Sequence, residues 1–108
     1  MSDVTDVILS WAPHVFDDEE DAAALLQQVN QSKAFKGQQG FVLINAEECY
    51  GGSRWLGMNI AIGAFNYLDL EGLIAHLRTL QWKFPETVQL MVCGELDDKF
   101  RLIDVFSE

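Results

Sequence analysis

The side chains of this chain that could titrate or attack near neutral pH are few: two histidines, His14 and His76, and two cysteines, Cys49 and Cys93. A zinc site would need ligands at short fixed spacings, and neither C-x-x-C nor H-x₃-H occurs. A cysteine nucleophile needs a neighbouring base and an activated thiolate. Cys49, beside Tyr50 and the Gly51-Gly52 pair, is the better placed of the two for such an activity, but as a thiol inside an apolar strand it reads first as structural. Ser53 after two glycines resembles a phosphate-cradling loop, yet no lysine follows and no helix begins there, so the glycines read as turn chemistry. His76 falls off the apolar stripe of its helix and reads as solvated. The residues imply no cofactor, no metal and no catalytic group.

Carboxylates remain. One run is Asp17-Asp18-Glu19-Glu20-Asp21, and a second cluster is Glu95 with Asp97 and Asp98. A calcium loop would space its oxygens as D-x-D-x-D-G, which is absent. The first run suits a helix N-terminus, where free N–H groups and the dipole favour negative charge. The second suits a solvated turn. Both could instead be contacts for a basic partner, since a carboxylate array docks with the Arg and Lys that an enzyme uses on a phosphate backbone. The whole chain leans the same way: 17 acidic against 7 basic residues, a formal charge of -10. That balance disfavours direct binding to nucleic acid and to anionic membranes. A basic protein surface is its complement, and solubility is the simpler account of the same charge.

To place these residues, 108 positions at 49% hydrophobic content supply one domain, 1–108, with one core. The N-terminus lacks the basic and apolar regions of a secretory signal, no run is long enough for a membrane span, and the cysteines read as buried thiols, so a cytoplasmic location is expected. Val4 to Trp11 reads as a strand. Ala22, Leu25, Leu26 and Val29 form one face of a helix. Phe41–Tyr50 and Ser53–Phe65 read as a hairpin about Gly51-Gly52. Asp69 caps a helix striped by Leu70, Leu73, Ile74, Leu77 and Leu80, and Pro85 stops it. Val88–Cys93 and Phe100–Phe106 are strands around the polar turn Gly94–Lys99. The order is β-α-β-β-α-β-β. This is an α+β domain, a mainly antiparallel sheet with two helices on one face, ferredoxin-like or split βαβ in kind.

A two-residue hairpin turn sets Tyr50 opposite Ser53, and therefore Leu43 opposite Ile60 and Phe41 opposite Ile62. On that register the helices cover Phe41, Leu43, Met58, Ile60, Ile62, Leu90, Val92, Ile103 and Val105. The second face then carries Val42, Ile44, Trp55, Asn59, Ala61 and Phe65, with Met91, Cys93, Phe100, Leu102 and Phe106 from the last hairpin. Gly57, Ala61 and Gly63 would make part of it flat. A second face so poor in polar groups marks an interface. A homodimer through it, cover by the N-terminal segment, and a register wrong by one residue are the competing accounts.

The segment Leu56–Asn66 with Gly63 and Asn66 near its end, the helix Leu70–Trp82, Pro85, Val88-Gln89-Leu90-Met91-Val92, then Glu95, Asp97-Asp98 and Phe100-Arg101-Leu102-Ile103 together resemble the C-terminal half of small immunity proteins from bacterial polymorphic-toxin systems. Trp11 and Asp17–Asp21 match that group's N-terminal Trp strand and acidic segment. The likeness spans about two-thirds of the chain. It departs where Gln89-Leu90-Met91 replaces the usual Tyr before the final acidic turn. The resemblance implies a cytoplasmic antidote that occludes a toxin, often a nuclease or deaminase, and brings no catalytic residues.

The expected function is therefore an acidic binding protein that neutralises a toxin or other basic enzyme without turnover. Asp17, Asp18, Glu19, Glu95, Asp97 and Asp98 would meet the partner's cations, and Trp55 and Phe100 would supply apolar anchors. The alternative is a dimeric small-molecule-sensing domain with Trp55, Asn59 and Phe65 lining a ligand cleft.

Overall fold

The computed structural model describes residues 3–13, 19–44, 51–52 and 57–106. Strand β1 (Val4–Trp11) is central, with a backbone ladder along each of its edges. It pairs antiparallel with β3 (Asn59–Asn66) on one side and with β4 (Gln89–Cys93) on the other. β2 (Val42–Leu43) borders β3 and β5 (Arg101–Asp104) borders β4, which gives the order β2-β3-β1-β4-β5. Because β3 runs antiparallel to both β1 and β2, those two are parallel to each other with β3 inserted between them. The α+β class, with two helices against an antiparallel sheet, is thus what the sequence patterns imply.

Helix α1 (Glu19–Val29) buries Ala22, Leu26 and Val29, and α2 (Leu70–Thr79) buries Leu73 and Leu77. Both stripes enter the cluster formed by Val7, Leu9 and Trp11 of β1 with Ala61, Phe65, Leu90 and Val92. One sheet face therefore carries both helices. Asp69 caps α2 as its position suggests: its Oδ1 accepts from Gly72 N–H at 3.0 Å. After α2, Trp82 folds back, donates Nε1–H to Leu77 O at 2.7 Å and meets Trp11 edge-on at 5.6 Å between ring centres.

The hairpin register differs from the one inferred from the glycine turn. Gly51 and Gly52 do hold φ of +83° and +65°, as a tight turn of two glycines requires. Yet Val42 pairs with Ile62 and Leu43 with Ala61, one residue away from the inferred match. Residues 45–50 and 53–56, which include Cys49, Tyr50, Ser53 and Trp55, lie outside the described residues. Leu43 and Phe41 face the helices as expected, but on β3 it is Ala61 and Phe65 that join them, while Ile60 and Ile62 point the other way. The reason is visible in β3 itself. Its sequence, NIAIGAFN, is apolar on both faces, so alternation there cannot choose a register. Packing against β1 chooses it: small Ala61 and Gly63 lie opposite bulky Leu9 and Val7.

Two side-chain amides take the place of strand partners. Asn30, just past α1, accepts from Phe41 N–H (Oδ1, 2.8 Å) and donates to Phe41 O (Nδ2, 2.9 Å). Gln38 does the same to Asn66 at the end of β3, accepting at 2.8 Å and donating at 2.7 Å, and its Nε2 also reaches Phe35 O at 2.8 Å. Phe41 is 3% exposed, whereas Asn30 is half-buried and both bonds are part-buried. Asn30→Ala is expected to cost about 1–3 kcal/mol in urea unfolding, because it takes from the Phe41 N–H and C=O the partners that the fold provides. Gly40→Ala should destabilise through the same contact, since a Cβ there collides with the Asn30 amide.

Candidate functional site

With the helices on one side, alternation assigns the opposite face to Asp6, Ile8 and Ser10 of β1 and to their cross-strand neighbours. The pairings run Val42 to Ile62, Ile62 to Ile8, Ile8 to Met91, and Met91 to Leu102. One apolar side chain from each of the five strands thus lines up in a row across the sheet. At about 4.8 Å between strands the row is roughly 19 Å long. Its ends are its most open parts: Leu102 is 66% exposed, Val42 53% and Ile62 44%. Apolar side chains of this size on a solvated sheet face mark a contact surface, where scattered single residues would not.

The rows on either side differ from it. On one side lie Ala64, Asp6 and Cys93, paired in sequence, with Phe100 (46% exposed) next beyond Cys93 at the foot of β5. On the other lie Ile60, Ser10, Gln89 and Asp104, where Gln89 Nε2 donates to Ser10 Oγ at 3.0 Å. A shallow depression of about 550 Å³ opens at the first boundary, with Ile8, Val42, Ile62 and Ala64 as its apolar wall and Asp6 and Phe100 at its rim.

The acidic turn between β4 and β5 adjoins this corner through Cys93, which pairs with Asp6 and whose thiol lies 3.6 Å from Asp97 O. Asp97 accepts from Gly94 N–H through Oδ2 at 2.8 Å and donates its own N–H to Gly94 O at 3.0 Å, which closes the turn tightly. Asp97, Asp98 and Asp6 all bear on Cys93, whose thiol is pushed up from its ordinary value by partial burial first and then by those three carboxylates. The direction is opposite to that of a reactive cysteine. In a Cys49→Ser background, Cys93 should alkylate more slowly than free cysteine at neutral pH and speed up only as pH passes the ordinary thiol range. Asp97→Asn should raise that rate, since it removes the carboxylate that acts most strongly on the thiol. An alkylation rate above that of free cysteine would contradict the electrostatics described here.

The anticipated site residues divide. Asp97, Asp98 and Phe100 come together at one corner of the open face, with Glu95 exposed on the same turn. Asp17, Asp18 and Trp55 lie outside the described residues, as does the side chain of Glu19. Glu19 opens α1, which belongs to the helix layer, so its backbone lies on the other side of the sheet from Phe100. Phe65, expected on the open face, is 1% exposed and packed in the core, and Ala61 is buried with it. A cleft lined by Trp55, Asn59 and Phe65 therefore lacks Phe65. Gly63 does not flatten the open face either; its missing Cβ makes room on the helix side for the Phe65 ring. His76 lies off the buried Leu73/Leu77 stripe and is half-exposed, with Nε2 2.9 Å from Gln28 O on α1.

Asp6 and Ile8 were not anticipated. Their signal is present in β1, where Asp6 alternates with Val7 and Leu9 and so marks the face turned from the helices; Ser10, on that same face, is 2% exposed and held by Gln89. Among the described residues no three His, Cys, Asp or Glu side chains gather as a metal-binding group, and no helix is long and apolar enough to cross a membrane. Comparison with family models, with curated proteins and with solved structures returned no match.

Proposed function

We propose that this chain is an acidic binding protein that neutralises a basic enzyme by laying the open face of its sheet over that enzyme's substrate-binding surface. The observation that carries the reading is the row Val42, Ile62, Ile8, Met91 and Leu102, apolar across every strand and bordered by Asp6 and the Asp97-Asp98 turn. An apolar stripe beside a block of carboxylates complements a surface that mixes aliphatic contacts with Lys and Arg. Enzymes that act on nucleic acid present such surfaces, because they hold phosphates. The likeness of the C-terminal half to small immunity proteins supports a toxin of nuclease or deaminase type as the partner. Inhibition would come from occlusion, with no turnover.

A second copy of the chain is the less favoured occupant. It would set Asp6, Asp97 and Asp98 of one copy near the same groups of the other in a molecule already at -10, and like charges at close quarters oppose association.

The test is kinetic and enzymatic together. A basic partner recovered with this chain from its native host should lose its activity at one equivalent of the chain. The double variant Asp97→Lys/Asp98→Lys should associate about tenfold more slowly at low ionic strength, with a flatter salt dependence. Activity that survives saturation by the chain overturns the inhibitory reading. Association at the wild-type rate at low salt removes the acidic turn from the interface.

A further inference from the structure

We infer, resting on that reading, that the depression at the Asp6 corner of the open face takes one arginine side chain of the partner. Its wall is apolar, from Ile8, Val42, Ile62 and Ala64, and it carries a single charged side chain, Asp6. Phe100 stands at the same rim. These three features restrict the occupant. A purely apolar plug would take Asp6 out of water without a partner, and a buried unpaired carboxylate is strongly unfavourable. An anion would meet Asp6, Asp97 and Asp98 together. The occupant must therefore bring an apolar stem and a cationic end, which leaves lysine and arginine.

The surroundings of Asp6 separate those two. An ammonium is compact and strongly hydrated, and a half-apolar depression offers it one carboxylate in exchange for its water shell. A guanidinium is weakly hydrated and planar. It can turn its N–H edge to the Asp6 carboxylate and lay its face on the Phe100 ring, while its methylene stem runs along Ile8 and Ile62. Asp6 and Phe100 lie on β1 and at the start of β5, with Cys93 of β4 between them. That is two strand spacings, about 10 Å, a gap that a phenyl ring on one side and a guanidinium on the other together span. Asp97 and Asp98 then act at longer range, raising the local concentration of cations without touching the side chain.

The probe is N-acetyl-arginine amide, followed by amide chemical shifts of the whole chain. Saturable shifts are expected at Asp6, Ile8, Ile62, Ala64 and Phe100. N-acetyl-lysine amide should bind roughly threefold to fivefold more weakly, the share expected of the aromatic contact. The neutral isostere N-acetyl-citrulline amide should give no saturable response. Asp6→Asn, which keeps the shape of the residue, should weaken the arginine response about fivefold. Phe100→Leu should remove the preference for arginine over lysine, and Asp3→Asn should change neither. Equal responses to arginine and lysine, a response to citrulline, or shifts centred elsewhere overturn the assignment. If arginine amide leaves the spectrum unmoved while the partner still docks on the open face, the anchor is lost and the binding reading survives. If the partner's docking is indifferent to changes in Val42 and Leu102, both fail.

Discussion

Phe65→Ala is expected to lose roughly 3–5 kcal/mol of folding free energy, the range for truncating a buried aromatic where the surroundings cannot collapse. The ring is 1% exposed and sits in a three-ring cluster, 4.8 Å from Phe35 and 5.3 Å from Phe41 between centroids, while Phe35 and Phe41 lie 5.6 Å apart. It joins three separate pieces of chain: the turn after α1, the entry to β2 and the end of β3. It also lies against the backbone of Gly63 on its own strand, where a Cβ would collide with it. Gly63→Val should therefore act through Phe65, driving the ring out of the cluster at a cost of about 1–3 kcal/mol, typical of overpacking. Phe65→Leu keeps much of the volume and should remain folded at a smaller loss, so the comparison survives if the alanine variant does not fold. Urea unfolding monitored by circular dichroism measures all three. A loss below about 1 kcal/mol for Phe65→Ala would mean a solvent-facing ring, and with it a reversal of the two faces of β3.

That reversal was the natural inference from sequence, and the reason it misled is specific. Helices α1 and α2 were legible because a stripe such as Leu73 and Leu77 has a polar background, and Asp69 marks the start of α2, which ends at Thr79, well before Pro85. β1 was legible as a strand, and its two faces are separable because Asp6 and Ser10 interrupt one of them. β3 carries no such interruption between Ile60 and Phe65. The glycine pair at 51–52 is then the sole sequence signal for the register over several residues, and one residue of offset turns every β3 side chain over. A central row of the second face is nevertheless apolar, because exchanging Ala61 and Phe65 for Ile60 and Ile62 swaps one apolar set for another, while Asp6, Ser10, Gln89 and Asp104 make the flanking rows more polar. The amide bridges from Asn30 and Gln38 were not legible at all. Each depends on how a loop returns toward a strand end, and neither residue's type nor spacing records that. Of the candidate site, Asp97, Asp98 and Phe100 were found through charge and the final hairpin. Asp6 was missed because only the pairing of β1 with β4 brings it to that turn.

β3 and its neighbours therefore set up an experiment in which stability and binding separate. Val42→Lys/Leu102→Lys places a cation at each end of the apolar row. Both positions are more than half exposed, at 53% and 66%, so each should shift folding free energy by no more than about 0.5 kcal/mol. A partner seated on the row loses the apolar contact, must dehydrate two ammonium groups, and meets like charge from its own basic side chains. Like charges brought together across an interface cost several kcal/mol, so a loss of roughly a hundredfold or more in affinity is expected, mainly as faster dissociation. Ala23→Lys/Gln27→Lys supplies the control: it adds the same two charges at exposed positions of α1, in the helix layer, and should change dissociation little. If the control weakens binding as much as the double variant, attraction is a matter of net charge and no face of the sheet is distinguished. If the double variant binds as the parent chain does, the row is not the contact surface. Phe65→Leu completes the contrast. It should lower the melting temperature while leaving dissociation at a temperature well below unfolding nearly unchanged, because its ring faces the helices and the partner never meets it.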